Sequence, residues 1–392
     1  MHDPTTTVRA AGGALTGPAP RSPGQAADPG FRARLDGFLT AQRALLDDAR
    51  WEHGTPPVTD LLAAAGSAGL FRDAWAATPA DRPRALWHAA ELHAALARVG
   101  NGAPGAAVLT HLDVATRLLG ALPAADPALV ADALAGRTTS ALAATEPEHG
   151  SDLARLTTRV DRAGDRLTVT GGKWFISNAP FADHLLVLAD DPGAATGRPG
   201  PALLLVPARA PGVRTTPLDG LGHHGLTGRV DLDAAPVTTV LVPGGHGLLV
   251  LMRHWLHERV MLAVRMGELA AAVLDHAVAD ATARHTFGTP LITNQHVRFT
   301  LARLTAETEE VRAAARQGVR LLAAGSCPAA YAAACKHRAA AVLREVADEA
   351  LQLAGGDGYR TGHPAGRALR DALGLALAGG TDELMLQQID RG

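Results

Sequence analysis

Residues 165–178 read "DRLTVTGGKWFISN", and the fold turns on how this stretch is read. Its apolar and β-branched residues alternate, and Gly171-Gly172 interrupts them, so the period is two and predicts a strand. The same grammar runs outward on both sides. "TTSALAAT" (138–145), "DHLLVLAD" (183–190), "PALLLVPA" (201–208) and "GRVDLDAAPVTTVLVP" (228–243) are short, β-branched or alternating, and set apart by Gly, Asp and Pro. A β domain, a small barrel or sandwich, is therefore expected over about residues 138–245.

The flanks follow a different rule. From "FRARLDGFLTAQRALL" (31–46) to residue 137, apolar residues recur every three or four positions, with breaks at "HGTPP", "TPADRP", "GNGAPG" and "LPAADP". That spacing predicts a helical domain over 30–137. After residue 246 the helical period returns in four long segments, 247–283, 293–324, 328–354 and 364–390, which read as a four-helix bundle. Residues 1–29 are rich in Pro, Gly, Ala and Thr without periodicity and read as a disordered tail. The expected fold is mostly α with a central β domain.

Composition narrows the function. The 392 residues carry 37 basic and 39 acidic side chains, so no global field favours nucleic acid or an anionic membrane. Only Lys173 and Lys336 are lysines; the remaining basic residues are arginines, as a GC-rich coding sequence would give. Cys327 and Cys335 are too few for a disulfide framework or a thiolate metal site. The N-terminal stretch has no basic and then apolar leader, and no apolar run is long enough to span a membrane, so a cytoplasmic protein is expected.

Polar residues cluster in two β-domain stretches, "LAATEPEHGSD" (142–152) and "GGKWFISN" (171–178), where Thr145, Ser151, Ser177 and Asn178 could serve simply as turn caps. Taken with the bundle, they form an ordered set that resembles the acyl-CoA dehydrogenase family. Thr145-Glu146-Pro147 and Gly150-Ser151-Asp152 match its TEPxxGSD pattern, and Gly172, Lys173, Ile176, Ser177 and Asn178 match GxKxxITN. "RHTFGTPLITNQHV" (284–297), "LQLAGGDGYR" (351–360) and "LRDALGLALAGGTDEL" (369–384) match its later motifs in order.

The resemblance implies an FAD-dependent flavoprotein that desaturates acyl thioesters on CoA or a carrier protein. It implies that Thr145 and Ser177 bond the flavin ring edge and that Phe175 packs on the ring. The family commonly has Trp at that position, which leaves Phe175 or the adjacent Trp174 as the stacking partner. Arg284, Phe287, Gln295, Gln352, Gly355, Gly356 and Thr381 match positions that bind the remainder of FAD, partly from a neighbouring subunit, so a homodimer or homotetramer is implied. An electron-transfer flavoprotein or O₂ would be the electron acceptor.

One position departs from the common pattern. Most relatives place the catalytic glutamate where this chain has Gly379; a minority, resembling the isovaleryl and long-chain enzymes, place it before an arginine on the first bundle helix. Here "WLHERVMLAVRMG" (255–267) supplies Glu258-Arg259. At 100° per residue Glu258 falls beside Trp255, Leu262 and Met266, on the stripe that faces the core, where a lone carboxylate is costly unless it has a partner or a job. Glu258 is the expected base. By resemblance Ser151 and Arg259 lie along the pantetheine arm, and the Gly379 N–H polarises the thioester carbonyl.

His254 and His257 also share this helix, and His223-His224 a β loop, but no third ligand accompanies either pair and no metal is expected. The first domain lacks the family's usual acyl-pocket loop after "LLAAAGSAGLF", so the acyl group is not readable and a carrier-bound substrate of polyketide type remains open. The alternative reading is a flavin oxygenase or oxidase of specialised metabolism, which would not need a carboxylate base.

Overall fold

The computed structural model describes residues 28–392 apart from 48, 165, 195–196, 220–225, 361 and 392. The expected tail falls outside the described residues except for 28 and 29, and His223-His224 fall outside them too. The chain groups into two compact units. One holds Ala33–Ala74 and Ala103–Glu258; the other holds residues through Arg32, Trp75–Gly102 and Arg259–Gly392.

The first of these contains the sheet. Its strands are β1 (Ser140–Ala143), β2 (Arg159–Ala163), β3 (Arg166–Ser177), β4 (His184–Asp190), β5 (Pro201–Pro207), β6 (Val213–Pro217), β7 (Thr227–Pro236) and β8 (Thr239–Val242). They run in the order β6-β7-β3-β2-β4-β5-β8, with β1 parallel to β4. Both faces of the central strands are buried, and the period of two sorts their side chains. Leu185, Val187 and Ala189 of β4 join Ala202, Leu204 and Val206 of β5 in one core. Leu186, Leu188, Leu203 and Leu205 face the other way, onto Ala115, Leu118, Leu119, Leu251 and the half-buried Trp255. That second face seats the start of helix Gly247–Ala283 against the sheet.

The helical segment that packs there changes pitch along its length. Gly102–Val108 is α-helical, Leu109–Thr116 is a π-helix, and Arg117–Gly120 is α-helical again. Such wide turns shift the register of side chains and recur at functional sites.

A buried ion pair ties the loop after β1 to β3. Glu146 accepts bonds from Lys173 Nζ at 2.9 Å, from the Thr157 N–H at 2.8 Å and hydroxyl at 2.7 Å, and from the Thr158 N–H at 3.0 Å. Burial alone would raise the Glu146 pKa, but the bonds from Lys173 and Thr157 outweigh it and bring it to about 2. Burial pulls Lys173 down to about 8, with Glu146 holding it from falling further.

The second unit is helical. Arg82–Ala97, Gln295–Ala323, Ala329–Ala354, Pro364–Leu377 and Asp382–Asp390 pack with the part of Gly247–Ala283 from Arg259 onward. Glu268 is its buried hub, meeting Arg98 at 2.6 Å, Arg312 at 3.0 Å and Arg316 at 3.5 Å. Asp371 accepts the Gly102 N–H at 2.9 Å, and the buried Arg265 donates to the Gly102 carbonyl at the same distance.

The last segment, expected as one helix over 364–390, is two helices broken at residues 378–381. Gly379 at φ +66° and Gly380 at φ +104° adopt conformations that a Cβ disfavours, which stops the first helix. Two cations fix the turn by its carbonyls. Arg259 Nε donates to Gly379 O at 3.0 Å, and the fully buried Lys336 donates to Gly380 O at 2.7 Å and to Ala376 O.

Two stability predictions follow from these buried charges. Glu146 has a folded pKa near 2 against an ordinary 4.5, so its contribution is complete above pH 4.5 and is lost as pH falls toward 2; the shift corresponds to about 3 kcal/mol. In thermal melts followed by circular dichroism, Glu146→Gln should melt lower than wild type at pH 7 and show a shallower decline between pH 4.5 and 2. Equal slopes would remove Glu146 as the source. Lys336→Met should strand the two carbonyls it serves and cost about 1–3 kcal/mol in urea denaturation; an unchanged midpoint would mean that water replaces the ammonium.

Candidate active site

An irregularity in β3 builds an aromatic platform in the sheet unit. Four residues of β3 from Lys173 to Ile176 oppose three of β7 from Val230 to Gly228, which makes a bulge at Trp174-Phe175. Phe175 takes φ +57°, uncommon for an aromatic residue, and its side chain is 59% exposed. Trp174 meets Phe175 edge-on, and the Arg229 guanidinium lies 5.6 Å from the Trp174 ring centroid. Trp174 therefore already has a partner on its ring, while Phe175 presents the more open one.

Thr145 is bonded to the same bulge. The Trp174 N–H donates to Thr145 O at 2.9 Å, and the Thr145 hydroxyl donates to the Trp174 carbonyl. Ser177 is half-buried opposite Thr227, and Ser151 is exposed in the loop after β1. Phe175 and Ser177 are thus carried by β3, an inner strand of the sheet, and Thr145 is bonded beside them at the bulge.

Glu258 ends this unit. It is 8% exposed, on the helix whose first turns pack against Leu188 and Leu203. Beside it is a cluster that the sequence did not reveal. Asp113, in the π-helical turn, is fully buried; its carboxylate lies 2.6 Å from His257 Nε2 and accepts from Arg117 Nη2 at 3.2 Å. Among the described residues no group of three or more His, Cys, Asp or Glu is placed to hold a metal ion.

The helical unit carries the other expected residues. Arg259, next in the chain after Glu258, spends its guanidinium on the Gly379 carbonyl and on Gln388. Arg284 is exposed and donates to the Leu353 carbonyl at 2.9 Å. It lies against Gly355, where a Cβ would come within 2.6 Å of Nη1, so only glycine leaves this cradle open. Gly355 and Arg284 are brought together, with Gly356 and Gln352 exposed alongside in the chain. Phe287 is fully exposed at φ +51° in the tight turn between His285–Thr286 and Thr289–Pro290. Gln295 opens helix Gln295–Ala323 and is exposed, and Thr381 is the N-cap of Asp382–Asp390.

As chemistry, each unit offers its own donors and acceptors. Exposed aromatic rings offer faces for stacking, an exposed guanidinium beside paired glycines suits a pyrophosphate, and the Thr145 oxygen is an acceptor for ring N–H groups.

Comparison with known proteins agrees. Residues 141–235 match the model for the acyl-CoA dehydrogenase middle domain and residues 245–392 the model for its C-terminal domain. The acyl-[acyl-carrier-protein] dehydrogenase MbtN of Mycobacterium sp. strain MCS is 30% identical over 340 residues, 83% of each chain. "Probable acyl-CoA dehydrogenase YdiO" of Escherichia coli K12 is 32% identical over 254 residues; the match spans 64% of this chain and 66% of that protein, just short of two thirds. A crystal structure of a probable acyl-CoA dehydrogenase from Mycobacterium abscessus superposes with a TM-score of 0.81 at 27% identity, covering 93% of this chain and 98% of that one. With both family models aligned in order and a relative matched along most of its length, the chain belongs to the acyl-CoA dehydrogenase family.

Proposed function

We propose that this protein is an FAD-dependent acyl-thioester dehydrogenase that introduces a Cα–Cβ double bond, with Glu258 as its base. The observation that carries the reading is the buried Glu258 beside an arginine committed to the Gly379 turn. A carboxylate in a dry, core-facing position is suited to take a proton from carbon, where water would otherwise compete. Glycine at 379 leaves no carboxylate on that turn, so Glu258 has no rival there.

Thr145, Ser177 and Phe175 would hold the flavin ring, and Arg284, Phe287, Gln295, Gln352, Gly355, Gly356 and Thr381 the remainder of FAD. When bound, FAD supplies an acceptor for the hydride that leaves Cβ. The chain's own part is to orient the acyl group, to take the α-proton on the Glu258 carboxylate and to keep water out. The Gly379 N–H suits the thioester carbonyl, on which negative charge grows as the proton leaves; the fixing of this turn by Arg259 and Lys336 sets its donor in advance, which is how preorganised dipoles stabilise a transition state. Ser151 and Arg259 are assigned to the pantetheine arm. The likeness to MbtN supports a carrier protein as one source of that arm and CoA as the other.

The test is an anaerobic visible spectrum of the purified flavoprotein titrated with acyl-CoA and acyl-pantetheine thioesters. Wild type should lose the oxidised-flavin band with at least one thioester. Glu258→Gln should keep the band and lose its bleaching by about 10²–10⁴-fold. Bleaching at the wild-type rate in that variant would move the base elsewhere.

A further inference from the structure

The last helix, Asp382–Asp390, carries two adjacent glutamines in different surroundings. Gln387 is exposed. Gln388 is half-buried on the face of Met385, which has no exposed surface, since residues three apart share a helix face. A half-buried amide needs a partner, and Gln388 accepts a hydrogen bond from Arg259 Nη1 on its side-chain oxygen. The oxygen must be the atom that faces the guanidinium, because arginine only donates.

The two bonds of Arg259 leave from different nitrogens of one rigid plane. Nε donates to the Gly379 carbonyl at 3.0 Å and Nη1 to Gln388. A single bond would let the plane pivot about the Nε–H···O line, and the second bond stops it. Gly380 keeps the same corner open, for a Cβ there would come within 2.9 Å of Met385 Cε and 3.5 Å of Arg259 Nη2. Arg259, the two glycines, Met385 and Gln388 all belong to the helical unit.

What the plane holds is the turn. The peptide that carries the Gly379 N–H lies between two fixed points. On one side the helix is closed by the Ala378 N–H on Gly374 O at 3.2 Å; on the other is the peptide whose carbonyl Arg259 holds. The Gly379 N–H itself meets no acceptor among the described residues. We infer that Gln388 is a positioning residue for the reaction, which orients Arg259 and through it aims the Gly379 N–H at the thioester carbonyl. The inference rests on the dehydrogenase reading and on that N–H as the carbonyl's donor. A donor fixed in advance serves a growing negative charge better than one that must turn to meet it, so loosening the turn slows the chemistry more than it weakens binding.

The experiment reduces the flavin-loaded protein anaerobically with butanoyl-, 3-methylbutanoyl-, octanoyl- and hexadecanoyl-CoA and continues with whichever bleaches wild type fastest. Gln388→Met keeps the length of the side chain and loses the acceptor, Gln388→Glu keeps an acceptor, and Gln387→Met is the control one residue away. At saturating thioester, Gln388→Met should bleach about tenfold more slowly than wild type with its thioester affinity within about twofold, as a displaced donor gives. Gln388→Glu should stay within about threefold of wild type, since the bond to Arg259 survives, and Gln387→Met should match wild type. In parallel, the infrared carbonyl stretch of the corresponding 2-enoyl-CoA, carrying ¹³C at the carbonyl, is read on the oxidised proteins. Its shift below the free thioester should shrink in Gln388→Met and persist in Gln388→Glu.

A Gln388→Met protein that melts lower but keeps the wild-type rate and stretch has lost a helix contact only, and overturns the inference while the dehydrogenase reading stands. So does a loss confined to affinity. Equal losses in Gln388→Met and Gln388→Glu overturn the bond to Arg259 as the cause. If no thioester bleaches the wild-type flavin, the dehydrogenase reading falls and the inference falls with it. Should Gln388→Met not fold, Gln388→Asn, whose amide stops one carbon short, takes its place with the same expected losses.

Discussion

The bond between Lys173 and Glu146 is the constraint on which the sheet side of the site depends. Both side chains are buried, and removing either would strand the other's charge away from water. With both present, the loop after β1 is clamped to β3 next to the residue where β3 bulges. The reciprocal bonds between Thr145 and Trp174 then follow from proximity, and the bulge turns Phe175 outward. A polar pair in the core thus sets the direction of an aromatic ring at the surface. The glutamate and lysine of the two β-domain motifs serve the backbone, and the residues beside them, Thr145 and Phe175, are those proposed to hold the flavin ring.

On the helical side two cations do corresponding work with carbonyls. Arg259 and Lys336 take the Gly379 and Gly380 oxygens, just beyond the end of the helix Pro364–Leu377. Glycine is required because both residues sit at positive φ, and the same pair leaves the turn without a carboxylate. The proposed base at Glu258 and the glycine at 379 therefore belong to one proposal.

Much of this was legible in the sequence where the signal is local. The helix at 247–283 is read from its period to the residue, and the strands of the sheet follow from alternation, because burial of one face imposes the pattern directly. The break in the last helix was carried by Gly379-Gly380, yet it was overrun by the strong apolar period on either side. Asp113 and His257 were not legible as a pair. They are 144 residues apart, and their meeting depends on the wide turn at Leu109–Thr116, which has no sequence signature of its own. What the fold gives His257 is a carboxylate from another helix.

The two lysines show why residue type matters at such points. In a chain with 37 basic residues, Lys occurs only at 173 and 336, and both side chains have no exposed surface. A compositional drift toward arginine would act on exposed positions, where either cation is solvated equally well. Inside the protein the choice is geometric. An ammonium is compact, and its three donors diverge, so it can serve Ala144 O and Glu146 at one site and Ala376 O and Gly380 O at the other. A guanidinium is planar and longer, and it would have to displace the backbone it is meant to hold. Arginine instead occupies the sites where a fork is needed: Arg312 against Glu268, Arg259 between Gly379 O and Gln388, and Arg284 at the Gly355 cradle. The distribution of the two cations thus separates the points that must be fixed in three directions from those that must be gripped in a plane.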